Sequence, residues 1–194
     1  MILHNHSGAA CLAAPQARSR AGGYTFLGNR GSKQQIHNGP ITIIAKVIKH
    51  AMASAAEAEI AALFMNAREL LPIRATLAEL GHPQPPTPLC TDNNTAHGII
   101  NGIFKQGRSK AIGMHFCWLA GRVQQGQFNV RWGSGKKNLA DYFTKHHPPS
   151  HHRQVRSIYV HTKESPSSFQ GCVERLGRLA QEHSNCHGQH VPAA

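Results

Sequence analysis

The chain has 194 residues, with 21 Lys and Arg against 9 Asp and Glu and a formal net charge of +12. That length suits one domain with a real core plus a tail, and the basic excess suits a polyanionic partner, nucleic acid first. No apolar run approaches a membrane-spanning length, and five scattered cysteines, with no CxxC pair and no signal region, read as reduced thiols in an intracellular protein, cytoplasmic or nuclear.

Met1 to Ser7 reads as a short strand that starts without preamble, as a segment of a longer chain would. Residues 15–23 carry turn chemistry, with Pro15 and the pair Gly22-Gly23. Tyr24 to Leu27 is a second strand by its β-branched and aromatic residues. Asn38-Gly39 in the polar loop that follows is a tight-turn signal, and Ile41 to Ile44 is a third strand. Strands joined by such turns predict an antiparallel meander.

Ser54 with Glu57 three residues on is a capping box, and it opens a helix. Ile60, Leu63, Phe64, Ala67, Leu70 and Leu71 recur at the three- and four-residue spacing of one buried face. Pro72 is expected to end or kink the helix; the pattern resumes through Leu77 and Leu80 and stops at Gly81. A rigid Pro-rich connector leads to a short buried strand, Leu89 to Thr91. A short helix over 95–101, capped by Asn93 or Asn94, and a longer one over 109–125 follow. The alternation of Gln127 to Trp132 is that of a half-buried strand. Gly133 to Lys137 is a basic loop, and Asn138 caps a last helix through Leu139, Tyr142 and Phe143. The order implies an α/β fold, a mixed sheet with helices packed on it. The domain spans 1–162, and 163–194 reads as a poorly ordered tail.

Acids are few enough to take singly. No Asp or Glu precedes Glu57, and the only aspartates are Asp92 and Asp141. Glu57 can return to the helix cap, whereas Glu59 beside the apolar stripe has no such task. Asp92 closes a strand, and Asp141 falls in the first turn of the last helix. Strand ends and helix starts can converge on one edge of a mixed sheet. Carboxylates gathered there repel unless a cation neutralises them, and hard oxygen donors suit Mg²⁺ or Mn²⁺. Each acid also has an ordinary reading: an Asx turn at Asp92, a cap at Asp141, an exposed helical Glu59.

Ser54 to Leu63 (with Glu57 and Glu59), Thr91 to Ala96 (with Asp92 and Asn93), and Asn138 to Lys145 (with Asp141) resemble three ordered blocks of one family. This is the ribonuclease H domain at the end of copia-type retrotransposon polyproteins. Arg18 to Gly23 and Glu79 to Pro86 resemble further segments of such elements, so the resemblance covers roughly residues 1–162. It implies a five-stranded mixed sheet flanked by helices. It also implies two-metal hydrolysis of the RNA strand of RNA–DNA hybrids, with Glu59, Asp92 and Asp141 as catalytic metal ligands and Mg²⁺ or Mn²⁺ as cofactor. A reverse transcriptase domain in the same polyprotein is the implied partner. One departure is serious: Gly8 occupies the place of the family's first-strand aspartate, and no earlier acid can substitute. The histidine that cellular relatives often carry before the last helix is also missing from 133–137. The resemblance therefore implies impaired cleavage or, as the alternative, a catalytically inactive nucleic-acid-binding domain of a decayed element.

Two basic groups are candidates for phosphate contacts: Lys105, Arg108 and Lys110, and then Arg131, Lys136 and Lys137 with Lys145, interleaved with Trp132 and Tyr142. Trp132 reads equally as core or as a stacking platform. His146, His147, His151 and His152 crowd one segment, and Cys172, His183, Cys186 and His187 fall in the tail. Neither set follows a recognised zinc-finger spacing.

Overall fold

The computed structural model describes residues 1–29, 36–104 and 110–160. Lys105, Arg108 and the expected tail over 163–194 lie outside them. The elements in chain order are β1 (Ile2–Ala14), β2 (Arg18–Gly28), β3 (Ile36–Val47), α1 (Ala55–Glu79), β4 (Thr87–Thr91), α2 (Asn94–Ile100), α3 (Lys110–Gln124), β5 (Phe128–Trp132) and α4 (Pro149–Tyr159), with 3-10 turns at Gly135–Lys137 and Asp141–Phe143. The sheet order is β3-β2-β1-β4-β5. β1, β2 and β3 pair antiparallel, as the meander predicts, and β4 and β5 add in parallel. This is the five-stranded mixed sheet flanked by helices that the sequence implies.

Strand alternation sends Leu3, Asn5, Ser7 and Ala9 under α1 and His4, His6 and Gly8 to the opposite face. The main core lies between α1 and the sheet: Leu3, Ile60, Leu63, Leu70, Leu89, Leu119 and Phe128 are essentially out of water. Each such leucine contributes roughly 2 kcal/mol of burial. A second layer of small residues, Ala21, Ala58, Ala61 and Ala62 with Ile48 and Met52, lets α1 approach β2 closely.

α1 opens as the capping box predicts. Ser54 Oγ accepts from Glu57 N (3.2 Å), while Glu57 Oε2 reaches one residue further back, to Ala53 N (2.8 Å). It closes in a Schellman motif: His82 N donates to Leu77 O (2.8 Å) and Gly81 N to Ala78 O (3.0 Å), with Gly81 at φ +83°. Between them α1 is continuous, so Pro72 does not end it. Pro72 and Arg68, whose carbonyl it frees, both lie on the exposed side of the helix. Leu71 before the proline and Ile73 and Leu77 after it all pack on the core. Arg74 fixes the connector, donating to Pro85 O (2.7 Å) and Gln84 O (3.2 Å).

Three further expectations change. Residues 18–23 are strand, paired with β1 and β3, rather than turn. Asn38-Gly39 makes no hairpin: Gly39, at φ +76°, sits inside β3 where the register with β2 slips. The segment after Asn138 forms one 3-10 turn, not a helix. Asn138 Oδ1 accepts from Ala140 N (3.1 Å) and Thr144 Oγ1 donates to Asp141 O (2.9 Å), taking up backbone groups a helix would use. The helix near the end is α4, where Pro149 fills the first position, which needs no N–H. Among the described residues no helix is long and apolar enough to cross a membrane.

Candidate functional site

Glycines bring the elements together. A Cβ on Gly22 would stand 2.5 Å from Ala140 O, and one on Gly23 would stand 1.9 Å from Asn66 Oδ1. Their absence lets the 138–144 segment settle on one face and α1 on the other. Asn66, which the sequence reading passed over, ties α1 down: its amide reaches Gly22 O (3.0 Å) and Ser7 Oγ (3.2 Å), and its oxygen accepts from Asn5 Nδ2 (3.0 Å). Its only sequence signal is a polar residue on an otherwise apolar helical stripe. On the far face Asn138 Nδ2 donates to Ser7 O (2.9 Å) and Leu139 N to His6 Nδ1 (3.1 Å).

These contacts bring Glu59, Asp92 and Asp141 to one rim. β1 and β4 pair at Asn5–Leu89 and His6–Cys90, and continuing that register sets Asp92 level with Gly8. Glu59 arrives from the α1 face and Asp141 from the other. Glu59 is 4% exposed. Contrary to the sequence reading, it does have structural work. Oε1 accepts from Ala9 N (2.8 Å) and Oε2 from Thr91 Oγ1 (3.0 Å), joining α1 to β1 and β4. Burial pushes its carboxyl up to about 7; the charges of Asp92 and Asp141 push the same way, against the two hydrogen bonds. Burial and then Asp141 raise Asp92, and Lys145 opposes them. The carboxylates therefore repel one another. The cap on α2 is Asn93, whose Oδ1 accepts from Ala96 N (2.9 Å).

Gly8 faces Asp141. An ideal Cβ there would lie 3.2 Å from Asp141 Oδ1 and 3.3 Å from Asn138 Nδ2. Two divalent ions demand more oxygen than this rim offers. Position 8 supplies none, both Glu59 oxygens already accept from protein donors, and Lys145 Nζ sits 3.1 Å from Asp141 Oδ2. Among the described residues no group of three or more His, Cys, Asp or Glu is arranged to hold a metal. The rim carries three acidic residues, but its donors do not fit the two-ion set that the resemblance implies.

The second basic group is divided. Arg131 lies on the other side of the strand, in a groove of about 260 Å³ with His4, Pro88 and Asn129. Lys145 pairs with Asp141. Lys136 and Lys137 remain exposed on the 3-10 turn. Trp132 is 54% exposed, with Nε1 donating to Asp92 O (3.0 Å). Lys110 begins α3. His147, His151 and His152 surround Tyr142: its ring stacks on His147 (centroids 5.2 Å) and on Tyr159 (4.5 Å), and its Oη pairs with His152 Nδ1 (2.6 Å).

No family model matches this chain, and no curated protein is similar to it. Solved structures are similar in fold. The N-terminal RNase H domain of Rv2228c from Mycobacterium tuberculosis, solved as a fusion with maltose binding protein, is 12% identical, with a TM-score of 0.51 over 74% of this chain and 95% of that one. LC11-RNase H1, isolated from compost by a metagenomic approach and solved in complex with an RNA/DNA hybrid, is 11% identical, with a TM-score of 0.51 over 73% and 92%. The chain thus has the ribonuclease H fold.

Proposed function

We propose that residues 1–162 are a copia-type, retroelement-derived ribonuclease H-like domain that holds RNA–DNA hybrids and cleaves their RNA strand weakly or not at all. The observation that carries this reading is Gly8, a residue without a side chain aimed at the Asp141 carboxylate. Glu59, Asp92 and Asp141 are then an incomplete catalytic set, with Glu59 and Asp141 partly satisfied by the protein's own donors. Binding needs less than catalysis does. Lys136 and Lys137, with Lys105, Arg108, Lys110 and Arg131 as the sequence suggests, would meet phosphates without reading bases. A reverse transcriptase domain of the same polyprotein is the partner this reading implies, and 163–194 would stand outside the domain.

The test is hybrid cleavage in Mg²⁺ or Mn²⁺ by the unmodified chain and by Gly8→Asp. A Cβ at position 8 requires shifts of only tenths of an ångström in the Asp141 and Asn138 side chains. The variant is expected to gain about a hundredfold or more in rate. An unmodified chain that already cleaves at a rate Gly8→Asp cannot improve would overturn the reading. If neither protein cleaves while both bind hybrid, the domain is an inactive nucleic-acid-binding remnant of a decayed element. The Lys145–Asp141 pair already favours that second reading.

A further inference from the structure

We infer that Trp132 forms a stacking platform for an unpaired base, so that this rim grips the single strand continuing from the end of a hybrid. The inference deepens the hybrid-binding reading and rests on it. Phe128 and Val130 point into the core and are 1% and 2% exposed. Trp132 continues the same side of β5 beyond the helical cover and leaves 54% of its surface in water. An indole so placed forgoes the gain of burial. Its ring is nonetheless held: Nε1 donates to Asp92 O (3.0 Å), and Gly133 N behind it donates to Thr91 O (2.9 Å). The 3-10 turn bearing Lys136 and Lys137 lies against the same residue, since a Cβ on Gly135 would stand 2.7 Å from Asp92 Oδ2.

A fixed aromatic face with exposed ammonium groups one turn away matches what one nucleotide of a single strand offers: a bare base face and a phosphate. A paired base inside a duplex has both faces covered by its neighbours, so only an unpaired or terminal base can stack here. The chain's charge of +12 favours a nucleic-acid strand as the occupant.

The experiment measures affinity by fluorescence anisotropy for a labelled blunt RNA–DNA hybrid, the same hybrid with a single-stranded extension, and the single strand alone. The proteins are the unmodified chain, Trp132→Ala and Trp132→Phe. The extension should tighten binding about tenfold, within a range of roughly five- to hundredfold. Trp132→Ala should erase that advantage and leave the salt dependence of blunt-hybrid binding unchanged, since no charge is removed, while Trp132→Phe keeps part of the advantage. Indole emission should fall on binding the extended hybrid, and fall equally in Trp118→Phe, whose missing indole packs on Phe64 (centroids 5.1 Å). Equal affinity for blunt and extended hybrids, or an advantage that survives Trp132→Ala, overturns the inference and leaves hybrid binding intact. If the single strand binds through Trp132 and the blunt hybrid does not bind, the inference stands and the hybrid reading falls. If nothing binds, both fall.

Discussion

Tyr24 and Glu59 show what the sheet's two faces demand of single residues. Tyr24 is wholly buried against Phe26, Phe143 and Tyr159, and its hydroxyl has no hydrogen-bond partner among the described residues. An unsatisfied buried hydroxyl costs about 1–3 kcal/mol, so Tyr24→Phe should stabilise the fold by about 1 kcal/mol in urea denaturation at neutral pH. Burial also pushes the phenol up to about 12 from 10.0. The unfolded chain then loses its proton first, so the unmodified fold weakens as pH rises through that window. Tyr24→Phe should be free of this alkaline loss; a variant no more stable at either pH contradicts the assignment. Glu59 is the opposite case. It looked idle in sequence, and the structure gives it two hydrogen bonds that join α1, β1 and β4. A buried acceptor's partners are set by neighbours 32 and 50 residues away, which no local pattern displays.

Among the elements, α1 shows which local rules dominate. Its cap and its Schellman stop were legible because both depend on residues within one turn. Of the end or kink expected at Pro72, the end did not follow, because core contacts on both sides of the proline outweigh one lost backbone bond. That bond still has a cost. Proline in a helix interior is unfavourable by about 3 kcal/mol, so Pro72→Ala should raise stability by about 1–3 kcal/mol. Thermal melting of the two proteins checks this, and an unchanged or lower Tm would mean that the helix has relaxed the strain fully. The 138–144 segment erred the other way: its helix signal was real, but Asn138 spends its side chain on Ser7 O and Ala140 N. α4 escaped notice because Pro148-Pro149 and clustered histidines hide a short helix whose apolar residues are few.

At the scale of the whole molecule, charge acts before shape. With +12 overall, sequence-independent phosphate binding should dominate, and its salt dependence counts the contacts. Replacing Lys136 and Lys137 by alanine should weaken hybrid, duplex and single strand alike. It should also reduce the slope of log K against log salt by about 1–2; an unchanged slope would show that this turn meets no phosphate. Arg131 should contribute separately, since strand alternation turns it into the groove with His4 and Asn129. The sequence by itself determined the order of strands and helices through β5, the cap and stop of α1, the basic excess and the short roster of acids, because each follows from composition or from residues close along the chain. Tertiary structure alone decided that Gly8 faces Asp141, that Gly22 and Gly23 admit their neighbours, and that Trp132 lies open beside Asp92. Those facts depend on contacts such as Asn138 to Ser7, 131 residues apart, where side chains meet only after the sheet has formed.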